Sequence, residues 1–252
     1  MSRILLVDDA TSLIELFAQA VATVLGHETT VVGSIAEVRQ LFTPCAHPDS
    51  RRSSTQRRNS TAQVAPFDLA IVDLAFPAER DTGLSALWEI HHRSPQTALG
   101  ILTQGDGMTE PILRDAWELL PIKIVLSKGS SLGFQISQIE SVLNRGFAEV
   151  DPLLSMLLPA ERNPWRTPHN FGRLVMHRGH AKLWQALLAI GEVPTYDEVA
   201  QHSGLSVNTI KNYRTQLLGE LKLHGLNSLG LREMSEFARR CRPFLTPFLI
   251  DR

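Results

Sequence analysis

Cysteine is nearly missing from this chain. Cys45 and Cys241 are the only two in 252 residues, which excludes a disulfide framework, and their separation excludes zinc spacing. Long apolar runs are missing too. No stretch approaches the length of a membrane span, and the first run, Ile4 to Val7, stops at two carboxylates, too short for a secretory leader. These absences lead us to expect a reduced, soluble, cytoplasmic protein that does not engage a membrane. The formal net charge of minus 1 hides an asymmetry. Residues 1–150 hold 12 Lys and Arg against 17 Asp and Glu, a net of minus 5, whereas residues 151–252 hold 13 against 9, a net of plus 4. An acidic first part and a basic second part suit a regulatory domain joined to one that meets polyanions. The length allows one large or two ordinary domains.

The first part alternates strand and helix patterns. Strands are expected at 4–7, 29–33, 69–73, 98–102 and 122–127, each followed by a helix, which implies a five-stranded, doubly wound parallel sheet of the α/β class. Ser12 with Glu15 reads as a capping box for the first helix, whose apolar residues are Leu13, Leu16, Phe17, Val21, Val24 and Leu25, with Gly26 as its stop. Ser34 with Glu37 repeats the signature. Residues 44–66 carry two Arg pairs among many Ser and Thr without apolar period, and read as a mobile, solvated insertion.

Five polar residues stand where apolar strands stop: Asp8 and Asp9 after ILLV, Asp73 after LAIV, Thr103 after LGIL and Lys128 after IKIVLS. In an open parallel sheet, ligands bind outside the carboxyl ends of the strands, so these side chains can converge. Clustered carboxylates disfavour full ionisation unless a cation joins them, and an oxygen-only cluster suits magnesium. Asp8 and Asp9 are the candidate metal ligands. Asp73 is then a usable nucleophile toward a phosphoryl group, with Lys128 to hold a phosphoryl oxygen and Thr103 to follow another.

At these residues the chain resembles the receiver domains of two-component signalling, which have a flavodoxin-like fold. The resemblance covers residues 1–149. It implies that Asp73 is the phosphoacceptor for a sensor histidine kinase, with Thr103 and Lys128 assisting, and that Mg2+ is held by Asp8, Asp9, Asp73 and the backbone carbonyl of Ala75. Pro77 and Gly83 can fill the family's Pro and Gly positions after the phosphoacceptor. Three features depart from the family. The stretch between Asp73 and Gly83 is longer; Val125 stands where Tyr or Phe is usual, three residues before the Lys; and Gly129 replaces the common Pro after Lys128, which frees the next turn.

Residues 150–178 contain Pro152, Pro159, Pro164 and Pro168, which interrupt any long helix and mark a linker; Trp165 and Phe171 within it are expected to pack against a domain. Residues 179–252 read as a small all-α domain. Leu183, Trp184, Leu187, Leu188 and Ile190 line a first helix stopped by Gly191. Thr195 and Glu198 make a capping box for a short second helix, Gly204 supplies a turn, and Ser206 caps a third. Two short helices joined by a Gly turn form the helix-turn-helix signature. On the third helix, Val207, Ile210, Tyr213, Leu217 and Leu221 share one side, while Asn208, Lys211, Asn212, Thr215 and Gln216 occupy the other. A face of hydrogen-bonding side chains suits the major groove of double-stranded DNA. Arg214, at the edge of the apolar arc, fits a phosphate or a structural ion pair.

The segment YDEVAQHSGLSVNTIKNYRTQLLGEL resembles the helix-turn-helix of NarL/LuxR-type regulators. The resemblance implies base contacts from Lys211, Asn212 and Thr215 and backbone contacts from Thr209, Tyr213 and Gln216. It also gives the helix at 229–241 a role in a homodimer. The tail PFLTPFLI is too apolar to be free and should fold back or join a partner chain. The combined expectation is a response-regulator transcription factor, not an enzyme with turnover. One alternative is a receiver that dimerises a DNA-binding regulator without phosphate. A magnesium phosphohydrolase would instead want Asp-x-Asp after the first strand, where this chain has adjacent acids followed by Ala10.

Overall fold

The computed structural model describes residues 1–43, 67–190, 193–226 and 230–250. The expected insertion at 44–66, the stop at Gly191 and the start of the 229–241 helix fall outside the described residues. The chain divides into two compact units: Met1–Thr109 with Pro121–Met156, and Leu157–Arg252 with Glu110–Leu120.

The first unit is built on five parallel strands, β1 (Arg3–Val7), β2 (Glu28–Val32), β3 (Leu69–Val72), β4 (Ala98–Thr103) and β5 (Ile122–Ser127), in the order β2-β1-β3-β4-β5. The fold is therefore the doubly wound α/β sheet read from the sequence. Its helices are α1 (Thr11–Leu25), α2 (Ile35–Phe42), α3 (Gly83–Arg93) and α5 (Leu132–Arg145). The strands have almost no exposed side chains, as a sheet covered on both faces requires; Ile4, Leu6, Ile71, Ile124 and Leu126 form its centre and meet Ile14, Val21, Ile136, Ile139 and Val142 from α1 and α5. Register aligns the carboxyl ends: Val7 pairs with Val32 and Val72, and Thr103 with Ser127. A register shift at Leu99/Gly100 accompanies a close approach, for a Cβ on Gly100 would lie 2.5 Å from the Ile124 side chain.

Two local readings are corrected. Helix α1 has Ala10, not Ser12, at its N-cap, and no side chain caps it. Instead the Asp8 carboxyl accepts the Ala10 amide at 2.9 Å, which turns the chain into the helix. The buried face of α1 is Ile14, Ala18 and Val21, while Leu13, Leu16 and Val24 lie exposed. Ser34 does cap α2 by accepting the Glu37 amide, but Glu37 returns its bond to the Gly33 amide.

The helix after β4, α4 (Glu110–Leu119), groups with the second unit. There the buried Asp115 receives Arg166 and Arg240, and Arg166 also bonds Glu118. The rest of that unit is α6 (Arg178–Ala189), α7 (Tyr196–Ser203), α8 (Val207–Leu223), α9 (Leu231–Arg240) and α10 (Arg242–Ile250), preceded by a short 3-10 helix at Pro168–Leu174. Trp184, Phe171, Phe237 and Phe244 fill its centre, and the Trp184 indole donates to the Leu174 carbonyl at 2.9 Å. Phe171 packs as expected, stacked on Phe237 at 5.9 Å, whereas Trp165 is 60% exposed. The apolar tail folds back as α10, burying Phe244, Leu245 and Leu249.

Truncation of Trp184 to Ala removes the largest side chain of this centre and orphans a carbonyl. We expect a loss of about 3–5 kcal/mol in urea unfolding of the full chain, on the transition that reports the second unit. A loss below about 1 kcal/mol would contradict this packing.

Candidate functional site

The aligned strand ends bring four of the five predicted residues to one rim. Asp8 follows β1, with its amide on the Val32 carbonyl at 3.1 Å; Asp73 follows β3, with its amide on the Val7 carbonyl at 2.8 Å. Lys128 follows β5, and its amide donates to the Thr103 carbonyl at 2.9 Å. The Lys128 ammonium then reaches Asp8 Oδ2 and Asp73 Oδ2, each at 2.8 Å. Asp73 Oδ1 accepts the Leu74 amide at 2.7 Å. Asp9, exposed, completes a group in which ligand oxygens of Asp8, Asp9 and Asp73 all lie within 4.8 Å of one another. Thr103 is fully buried at the end of β4, its hydroxyl accepting the Gly105 amide at 3.4 Å. Ala75, half-buried, lies two residues past Asp73 in the following loop.

The electrostatics follow from this crowding. Burial pushes the Asp73 carboxyl above its ordinary value, against the pull of Lys128 and with help from Asp8. Burial acts on Lys128 in the opposite sense, and hydrogen bonds to Asp73 and Asp8 outweigh it, so the ammonium is held more firmly than usual. One ammonium against three carboxylates leaves a negative remainder. An oxygen-only cluster with that charge fits a hard divalent cation such as magnesium.

Gly83 sets how α3 enters the site. A Cβ there would lie 1.8 Å from the Asp73 carbonyl oxygen, and the Gly83 amide donates to the Leu74 carbonyl at 3.2 Å. The helix thus presses its first turn on the backbone of the candidate nucleophile. Val125, at the position where the resemblance has an aromatic, is fully buried.

In the second unit the helix-turn-helix signs are present atom by atom. The Thr195 hydroxyl accepts the Glu198 amide and Glu198 accepts the Thr195 amide, a complete capping box for α7. Gly204, at φ 67°, ends α7 in the left-handed region, and Ser206 caps α8 by accepting the Thr209 amide at 3.1 Å. Ile210, Leu217 and Leu221 are buried, while Asn208, Lys211, Asn212, Thr215 and Gln216 are exposed and Thr209 is half-buried. Tyr213 is half-buried against the rings of His177 and His180, its hydroxyl over Gly179.

Tyr196 was missed by the sequence reading. Its hydroxyl bonds Arg214, and its ring lies 5.4 Å from the Lys211 ammonium, so it holds two cations of α8. Asp151 was missed as well. It is fully buried beyond α5, and its carboxyl accepts the Ser127 amide at 2.9 Å and the Ser130 hydroxyl at 2.6 Å. Neither has a local signature, because each acts on residues distant in sequence. The apolar face of α9, Leu231, Met234, Phe237 and Ala238, is buried within its own unit.

Placing a methyl group at Gly83 forces Asp73 or α3 to move. For Gly83→Ala we expect a loss of about 1–3 kcal/mol, as in other overpacked sites, read from denaturant unfolding; an unchanged midpoint would show that α3 is free to shift.

None of the known protein-family models matches the chain, and no curated protein matches it. Its structural neighbours include response-regulator receiver domains. A receiver domain from Clostridium thermocellum is 21% identical over 58% of this chain and 97% of its own, with a TM-score of 0.43. A LuxR-family two-component response regulator from Aurantimonas sp. SI85-9A1 is 18% identical over 62% and 94%, TM-score 0.47. The RcsB response regulator of Salmonella typhimurium is 14% identical over 94% of this chain and 98% of its own, TM-score 0.46.

Proposed function

We propose that the chain is a response-regulator transcription factor, in which Asp73 accepts a phosphoryl group from a sensor histidine kinase and thereby controls DNA binding by α7 and α8. The observation that carries this reading is the Lys128 ammonium shared between Asp8 and Asp73 at the carboxyl rim of the sheet. Here one cation serves two acids while a third stands within ligand distance, the arrangement of a pocket built to receive more positive charge.

An Asp73 oxygen attacks the phosphorus of a phosphohistidine. The new P–O bond forms as the P–N bond breaks, and the departing imidazole nitrogen keeps the electron pair. Asp8, Asp9, Asp73 and the Ala75 carbonyl would hold magnesium, which supplies charge neutralisation at the phosphoryl oxygens. Lys128 exchanges its bond to Asp73 for one to a phosphoryl oxygen. The Leu74 amide keeps the second Asp73 oxygen oriented, and the Thr103 hydroxyl, which accepts the Gly105 amide, would turn to another oxygen of the group. Phosphate adds a charge of about minus 2 at the rim, and the loops after β4 and β5 are the segments that respond.

The exposed arc of α8 supplies the DNA-reading part. Lys211 and Asn212 are suited to guanine and adenine edges and the Thr215 methyl to thymine; Thr209, Gln216 and the Tyr213 hydroxyl would contact the backbone. The proposed active form is a homodimer, with two recognition helices spaced one turn of the duplex apart.

A second reading is favoured by the burial of Val125, which leaves no ring to rotate with Thr103: the first unit then dimerises the regulator without phosphate. Incubation with acetyl phosphate and magnesium separates the two. We expect intact mass to rise by one phosphoryl group in the wild type and not in Asp73→Asn, and affinity for a selected DNA site to change only in the wild type. Equal DNA affinity in both proteins would leave the phosphate-free reading. For the DNA interface itself, Lys211→Ala or Asn212→Ala should cost about 1–3 kcal/mol on the best site and flatten sequence preference. An equal loss on all sequences would demote these side chains to backbone contacts.

A further inference from the structure

We infer that Asp151 is the positioning residue for Lys128; the inference rests on the phosphoryl transfer proposed above. The sequence raises the problem it solves. Lys128 is followed by Gly129, so no ring fixes the turn from which the ammonium must reach the rim.

The turn is fixed from outside. Ser127 to Ser130 close a turn through the Ser130 amide and the Ser127 carbonyl at 3.2 Å, and the Ser127 hydroxyl accepts the Gly129 amide at 3.0 Å. One Asp151 oxygen binds both flanks of this turn, taking the Ser127 amide at 2.9 Å and the Ser130 hydroxyl at 2.6 Å. The other oxygen accepts the Leu153 amide at 3.0 Å. Gln135 of α5 adds a bond to the Ser127 carbonyl at 2.7 Å. Asp151 is itself held, because the chain after α5 runs back along β5: the Ala148 amide donates to the Lys123 carbonyl at 3.0 Å, and the Asp151 amide to the Val125 carbonyl at 3.1 Å.

Burying a carboxyl group this completely is costly unless hydrogen bonds replace its water. Three donors do so, and two of them belong to the residues on either side of Lys128 and Gly129. A plug that merely tied the exit of α5 to the sheet would not need to grip this turn twice. Asp151 does not reach the reacting atoms; it acts by holding the backbone from which Lys128 extends. Displacements of about 1 Å from a remote change can cost on the order of 100-fold in rate.

The test is a double-mutant cycle on the full chain, reading the rate of phosphorylation by acetyl phosphate and, in parallel, the urea unfolding midpoint. Asp151→Asn is expected to slow the maximal rate by about 10- to 100-fold, and Ser130→Ala to slow it less, with a smaller fall in midpoint than Asp151→Asn. In a Lys128→Ala background, Asp151→Asn is expected to cause no further loss of rate, because its effect passes through the ammonium. A wild-type rate in Asp151→Asn would overturn the inference, and so would losses that multiply in the double variant. Should Asp151→Asn fail to fold, Ser130→Ala with Lys128→Ala forms the same cycle. A wild type that takes no phosphoryl group at all would instead remove the phosphoryl-transfer reading, and this inference with it.

Discussion

The Lys128 ammonium, 2.8 Å from both Asp8 and Asp73, is the contact on which the proposed chemistry of the first unit depends. Burial raises the Asp73 carboxyl, and the ammonium is the cation that pulls it back. The fold is what makes the contact possible. Parallel register puts the ends of β1, β3, β4 and β5 level, so residues 120 positions apart in the chain (Asp8 and Lys128) become neighbours without long side-chain excursions. The core beneath is almost wholly aliphatic, and a dry, close-packed support of that kind holds polar groups at its rim without absorbing their displacement.

The same residues carry structural and chemical duties together. Asp8 turns the chain into α1 with one oxygen and meets Lys128 with the other. Asp73 binds the Leu74 amide on one side and the ammonium on the other, while its own carbonyl sits under the first turn of α3. A group that takes the place of Lys128 at either carboxylate must therefore displace an existing bond. The loops after β4 and β5 begin at Thr103 and Lys128.

Much of this was legible in the sequence, for a definite reason. Strand-ending polar residues after short apolar runs are local signals, and parallel topology turns them into a site. The capping box at Thr195 and Glu198 and the Gly204 turn were local too, and they stand as read. The errors arose where local patterns competed. Ser12 and Glu15 matched a capping box, yet the Asp8 bond to the Ala10 amide had already turned the chain two residues earlier, so the helix starts at Thr11 and its apolar residues divide between a buried face and an exposed one. Asp151 could not be found, because its worth lies in bonds to Ser127 and Ser130 across an intervening helix. The grouping of α4 with the second unit through Asp115, Arg166 and Arg240 was equally silent, since no spacing connects those residues.

Calorimetric titration of the full chain with magnesium tests the central claim most directly, since a rim with more acid than base should bind one divalent ion in an oxygen cluster. We predict one ion per chain in the wild type, binding abolished by Asp8→Asn and by Asp73→Asn, and binding tightened by Lys128→Ala, which removes the competing ammonium. Affinity for magnesium that is indifferent to all three substitutions would contradict the account.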